Sequence, residues 1–246
     1  MGMFKSSNPL LGRLDKTVAY DSSESMTIQG TVNKTLILTG LIMVSASMTW
    51  KMIIAGSAGA WGLTIGGAIV ALIAVIVMMF KMQWAGFLAP LYALAEGLFL
   101  GGISAVYSTL FDGIVLKAVA LTFGVLLAML FMYKSGIIKA TEKFKQGVMA
   151  ATLGVVVMYG LTWLLSMFGV RLPYLHEGGL ISIGISLVVI VIAALNLILD
   201  FDNIEQGVAH SAPKTMEWMG AVGLMVTLVW LYVEILRLLS FLTGRD

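Results

Sequence analysis

Three acidic residues stand inside long apolar runs of this sequence: Glu96, Asp200 and Glu234. In a chain that crosses a membrane, an ionised side chain in the hydrocarbon layer costs about 3 kcal/mol on insertion scales. Such residues commonly mark ion pathways, proton relays or internal ion pairs. Glu96 has no basic residue within one helical turn, so it is either protonated or paired with another helix.

Asp200 and Glu234 each lie on a predicted helical face of small and hydroxylated residues. On the sixth apolar run this face carries Ser182, Ser186, Val189, Ala193, Asn196 and Asp200. On the seventh it carries Gly220, Gly223, Thr227, Trp230, Glu234 and Arg237. The fifth run offers Thr152, Tyr159, Thr162 and Ser166. The pattern predicts that the three faces converge on a partly polar interior.

A purely structural interpretation of these acids stays open. Small and hydroxylated residues also line dry contacts between membrane helices. Arg237 follows Glu234 by one turn, so the two residues are able to form an internal ion pair. Asp200 begins a cluster with Asp202 and Glu205, which is also typical of a solvated helix end.

The composition indicates that membrane helices position these residues. Of the 246 residues, 59% are hydrophobic and 11% are charged, whereas a soluble domain has about a quarter charged residues. The apolar runs predict an all-α protein with seven transmembrane helices, since about 20 residues cross a bilayer. The predicted spans are 34–54, 61–80, 84–107, 114–133, 148–170, 180–199 and 221–242. Residues 1–33 form a polar tail and residues 34–246 the transmembrane domain.

Basic residues predict the orientation. If the N-terminus is cytoplasmic, the inner segments hold ten Lys and Arg residues and the outer segments hold four: Lys51, Lys117, Arg171 and Arg245. The positive-inside rule favours this arrangement. The formal net charge of +2 gives no indication of nucleic-acid binding.

No enzyme signature is present in the sequence. His176 and His210 fall in loops on opposite sides of the membrane, so they cannot share a metal, and the chain has no cysteine. Phosphate-loop, metalloprotease and nucleophile-elbow motifs are absent. We therefore expect neither enzymatic activity nor a bound cofactor.

Four segments resemble the Bax inhibitor-1 (transmembrane Bax-inhibitor-motif) family. They are MTIQGTVNKT at 26–35, EGLFLG at 96–101, LDFDNI at 199–204 and WLYVEILRLL at 230–239. The first is similar to a bacterial branch often called YccA-like, which implies a bacterial inner membrane. The resemblance implies seven helices with the last one central.

The resemblance also implies a pH-sensitive calcium leak whose sensor is a pair of acids on the sixth and seventh helices. Carried over, these positions are Asp200 and Glu234, although bacterial relatives have Asp in the seventh helix. Lys81 is the nearest match to an arginine that relatives carry near the second helix, and it lacks the planar guanidinium. The proposed supporting residues are Arg237, Asn196, Asp202, Lys81 and Glu96.

Two carboxylates close together in an apolar interior would share one proton and latch two helices. The pair supplies fewer oxygens than the six to eight that calcium usually takes, so it predicts only a weak calcium site. If the last span begins near residue 213, Glu234 lies about 30 Å above that point. Pairing with Asp200 therefore requires the first turns of the last helix to lie at or outside the inner interface.

Two other functions compete with the leak. One is a non-transporting protein that modulates another membrane complex, such as a membrane-bound protease, through residues 6–9 of the tail. The other is a proton-coupled transporter, for which the sequence lacks paired broken helices.

Overall fold

The computed structural model describes residues 25–169 and 179–244. These residues form seven helices that are long and apolar enough to cross a bilayer. The helices are α1 (Ile28–Ile54), α2 (Ala60–Phe80), α3 (Ala85–Leu110), α4 (Ile114–Lys134), α5 (Glu142–Met167), α6 (Leu180–Ala209) and α7 (Met216–Thr243), with a short 3-10 helix at Met82–Trp84. The predicted all-α fold with seven spans is confirmed, and the chain is a multi-pass membrane protein.

Several predictions concern residues outside the described ranges. They include the contact through residues 6–9 of the tail, the placement of His176 and Arg171 in the loop after α5, and that of Arg245 at the C-terminal end. The division into a tail and a transmembrane domain also stays a prediction.

The helix ends differ from the predicted spans because capping and helix propensity extend helices beyond the hydrocarbon layer. The Thr27 hydroxyl accepts the N–H of Gly30 at 2.9 Å, so α1 begins at Ile28 rather than at residue 34. Thr141 caps α5 in the same way, which starts that helix at Glu142. The largest correction concerns α6, which continues to Ala209 rather than ending at residue 199.

The last helix is central in the bundle. α7 packs against α1, α3, α4 and α6. Within its most apolar window 61% of the residues are buried, compared with 11% for α5. α3 is packed between α1 and α2. α5 packs mainly against α6 and is the least buried helix.

Two glycines of α3 allow a close contact between α3 and α1. A Cβ at Gly97 would lie 2.4 Å from the Ile42 carbonyl oxygen, and one at Gly101 would lie 2.2 Å from the Ala46 carbonyl oxygen. The Gly97–Gly101 pair therefore allows close approach of α3 to α1. Gly62 and Gly66 have the same spacing on α2 and make no such contact, since nothing lies within 4 Å of a Cβ at either position. α2 turns this face away from the helices that the structure describes.

Candidate functional site

Asp200 lies within α6, nine residues before its end, and faces α7. The Thr227 side chain lies beside its carboxylate, and the Thr227 hydroxyl donates to the Gly223 carbonyl oxygen at 3.3 Å. A Cβ at Gly223 would lie 3.9 Å from Oδ1 of Asp200, so the carboxylate is level with Gly223 of α7. Oδ2 of Asp200 is buried and has no hydrogen-bond partner among the described residues. Oδ2 is therefore able to bind a proton or a cation.

Glu234 belongs to a second polar cluster, in which Tyr159 connects an acid to a base. The Tyr159 hydroxyl donates to Oε1 of Glu234 at 2.7 Å and accepts from Nη1 of Arg237 at 2.7 Å. The direct distance from Nη1 of Arg237 to Oε1 of Glu234 is 3.8 Å. The side chain of Glu234 is 6% exposed, and Oε2 has no hydrogen-bond partner in the described part of the chain.

Asp200 and Glu234 lie at different depths in the bundle. Asp200 is level with Gly223 and Thr227, and Glu234 lies seven residues after Thr227, or about 10 Å along α7. No hydrogen bond joins the two carboxylates among the described residues. The predicted direct pair is therefore not formed in this structure. The seventh-helix residue that meets Asp200 is Thr227.

The predicted convergence of the fifth, sixth and seventh helices is confirmed. Asn196 donates to the Thr152 hydroxyl at 2.8 Å, which joins α6 to α5 between the levels of Asp200 and Glu234. Ser166 and Thr162 bond instead to carbonyl groups of their own helix. The sequence pattern does not distinguish hydroxyls that face the interior from hydroxyls that bond locally.

Asp202 lies two residues after Asp200, where α6 meets α4 and α5. Its carboxylate accepts from Nζ of Lys145 at 2.9 Å and from the Gln206 side chain at 2.6 Å. Tyr133 donates to Glu205 next to it. A cavity of about 410 Å³ opens here, and Asp202 and Glu205 form part of its wall. Because Asp202 is paired with Lys145, it is not simply a solvated carboxylate at a helix end.

Two predicted supporting residues do not join these clusters. Lys81 is exposed at the end of α2, and Glu96 is half-buried one turn after Tyr92 in α3. Neither makes a hydrogen bond or ion pair with Asp200 or Glu234 in the described ranges. The described residues therefore show no hydrogen bond or ion pair by which Lys81 or Glu96 would support these acids.

The most enclosed acid, Glu217 in the first turn of α7, was missed in the sequence. Its side chain is 1% exposed. One carboxylate oxygen accepts from the N–H and the hydroxyl of Thr27, each at 2.9 Å, and the other pairs with Lys34. A Cβ at Gly30 would lie 2.1 Å from Oε1. Lys34 within the first apolar run was the available signal, because a buried cation needs an anionic partner.

Within residues 25–169 and 179–244, no group of three His, Asp or Glu side chains is arranged to hold a metal ion.

Comparison with known proteins identifies the family. No curated protein and no solved structure matches the chain. The family model described as "Bax inhibitor 1 like" matches residues 8–244, which covers all seven helices and both polar clusters. This protein belongs to the Bax inhibitor 1-like family of membrane proteins.

Proposed function

We propose that this protein is a pH-sensitive cation leak that conducts calcium, with Asp200 and Glu234 as titrating positions of the pathway. The observation that supports it is a pair of buried carboxylate oxygens, Oδ2 of Asp200 and Oε2 of Glu234, that have no hydrogen-bond partner among the described residues. An unsatisfied buried oxygen is costly unless it binds a proton, a cation or water. Family membership adds to this proposal.

The proposed pathway follows the interface of α5, α6 and α7. Polar contacts occur there at three successive levels: Lys145 with Asp202, Thr152 with Asn196, and Tyr159 with Glu234. The three α5 residues are each seven positions apart, so they share one face of that helix. Asp200 lies between the first two levels, two residues before Asp202 in the cavity wall.

Gating is assigned to α5, because this helix has the smallest buried fraction and its described interhelical bonds are polar. A cation that enters beside Asp202 would replace Lys145 as the partner of that acid. It would then meet Asp200. Proton binding at Asp200 would remove the local negative charge and so make the pathway less favourable for a divalent cation.

Flux measurements in liposomes test the proposal. The protein is reconstituted around a calcium-sensitive dye, and the initial rate is followed from acidic to alkaline pH. Asn mimics a protonated Asp at every pH, so Asp200→Asn should hold flux at the wild-type acidic limit and remove most of its pH dependence. Glu234→Gln should lower flux and leave the remaining pH dependence to Asp200.

Asp112→Asn is the matched control, because Asp112 is an exposed acid in the loop between α3 and α4. It should leave both rate and pH profile unchanged. Absence of flux at every pH, or equal profiles for Asp200→Asn and wild type, would reject the leak. The result would then favour a protein that modulates another membrane complex.

We further assign the protein to the YccA-like branch in a bacterial inner membrane, with a cytoplasmic N-terminus. The branch rests on the segment 26–35, and the orientation rests on the excess of Lys and Arg at one end of the bundle.

A further inference from the structure

An apolar groove lies between α1 and α4 on the outside of the bundle, well apart from the α5 contacts. It has a volume of about 510 Å³, and its lining includes residues of α3 and α7 between the two walls. Along α1 it extends from Thr39 to Lys51, which is about 18 Å at 1.5 Å per residue. One leaflet of the hydrocarbon core is about 15 Å deep. The groove therefore has the length of one acyl chain.

The surface of this groove suits hydrocarbon rather than water or ions. Hydroxyl groups in its wall are bonded within the protein: Ser47 donates to the Val44 carbonyl oxygen at 2.8 Å, and Thr122 donates to the Ala118 carbonyl oxygen at 2.8 Å. Ser104 and Tyr232 bond to each other at 2.6 Å. Because these hydroxyls are satisfied internally, the groove offers mainly side-chain hydrocarbon to an occupant.

A cation marks one end of the groove. Lys51 lies in the last turn of α1 and is exposed, and Trp50 lies next to it. No carboxylate pairs with Lys51 in the part of the chain that the structure describes. A lysine and a tryptophan at the end of a membrane helix are suited to the headgroup region. The other end is narrowed by the contact of Thr39 with Met225 at 3.5 Å.

We propose that this groove binds one membrane phospholipid, with an acyl chain along α1 and its phosphate on Lys51. The groove should prefer an anionic headgroup, because Lys51 contributes an unpaired positive charge where the headgroup would lie. A bound chain would cover α3 and α7 between two helices and so stabilise the central helix. This proposal does not depend on the leak.

Native mass spectrometry tests lipid binding and headgroup preference. Purified protein is incubated with equimolar phosphatidylglycerol and phosphatidylcholine, and the retained lipids are counted. Wild-type protein should retain one phosphatidylglycerol. Lys51→Ala should lower its occupancy about fivefold, the effect expected for one basic residue at a membrane surface. Lys117→Ala is the matched control, since Lys117 is exposed at the same end of the bundle and does not line the groove.

A second pair of variants tests the acyl-chain position. Ser47 lines the groove, so Ser47→Trp should prevent retention of either phospholipid. The adjacent Met48 lies outside the groove, so Met48→Trp should retain lipid as the wild-type protein does. Equal retention by Lys51→Ala and Lys117→Ala would overturn the headgroup assignment. Equal retention by the two tryptophan variants would overturn the acyl-chain site.

Discussion

Glu217 joins the start of α7 to the start of α1, and its burial makes it sensitive to substitution. Loss of one partner from a buried ion pair leaves the other charge without compensation, at a cost of about 3 to 5 kcal/mol. We expect Glu217→Gln to lower the free energy of unfolding by about 3 kcal/mol, as measured by denaturant titration in mixed micelles.

Glu142→Gln serves as the comparison for this prediction. Glu142 pairs with Lys145 at 3.3 Å, but its side chain is 83% exposed, so the loss should stay below about 1 kcal/mol. Equal destabilisation by the two variants would show that Glu217 does not act through its burial with Lys34.

Thr227 faces Asp200 where a second acid would complete a carboxylate pair. Thr227→Asp would place two negative charges close together in an apolar interior, and the pair would then share a proton. We expect the midpoint of the flux–pH curve to move upward by about one pH unit or more in the liposome assay. Thr227→Asn, which adds no charge, should leave the midpoint near the wild-type value.

The sequence predicted the two acids of the candidate site, but it did not identify the residues that they contact. Asp200 and Glu234 were identified from the sequence because an acidic residue within an apolar run carries a large free-energy cost in a membrane. Their partners Thr227 and Tyr159 were on the predicted faces, but a hydroxyl in a membrane helix usually has an ordinary packing role. The predicted end of the sixth helix at residue 199 was wrong because hydropathy locates the hydrocarbon layer, whereas helix α6 continues to Ala209.

The contact between helices α1 and α3 depends on Gly97 and Gly101. A methyl group at either position would meet backbone atoms of α1, which cannot move aside as a flexible side chain would. Gly97→Ala or Gly101→Ala should therefore destabilise the protein by about 1 to 3 kcal/mol, seen as a lower melting temperature in detergent.

Gly62→Ala and Gly66→Ala are controls of the same chemistry on α2. Both positions have open space around them, and alanine favours a helix over glycine by about 1 kcal/mol. Their melting temperature should be unchanged or slightly higher. A decrease equal to that of Gly97→Ala would contradict the packing explanation.

The attachment of α5 through polar contacts has its own test. Thr152→Val keeps the shape of the side chain and removes the oxygen that accepts from Asn196. We expect faster hydrogen–deuterium exchange across Glu142–Met167, because little apolar burial holds this helix. Thr162→Val removes a hydroxyl that bonds only within α5, so it should leave exchange near the wild-type rate.

For the whole molecule, seven spans and their order followed from hydropathy alone, because each apolar run is long enough to cross the bilayer. The central place of α7 did not follow from hydropathy, since mean hydropathy is high for all seven helices and does not show which one the others surround. The central position of the last helix was predicted from the family resemblance. In the structure it arises from packing against four helices and from the two ends of α7, where Glu217 binds α1 and Glu234 binds α5.

Orientation is the property of the whole molecule on which the direction of the proposed pathway depends. The chain has no cysteine, so one introduced cysteine reports a single position. Ala58 lies in the loop between α1 and α2, and Ser135 follows α4; both are exposed. With a cytoplasmic N-terminus, a membrane-impermeant maleimide should label Ala58→Cys in intact cells and Ser135→Cys only after permeabilisation.

The reverse labelling pattern would show that the protein has the opposite orientation in the membrane. The cavity beside Asp202 would then open to the exterior, and Lys51 at the end of the apolar groove would face the cytoplasmic leaflet. Labelling of both positions in intact cells would indicate leaky membranes, which a cytoplasmic marker protein with an exposed thiol detects in the same sample. Asp200 lies in the C-terminal half of α6, near the cavity beside Asp202. The experiment therefore also determines which side of the membrane supplies the protons that reach Asp200.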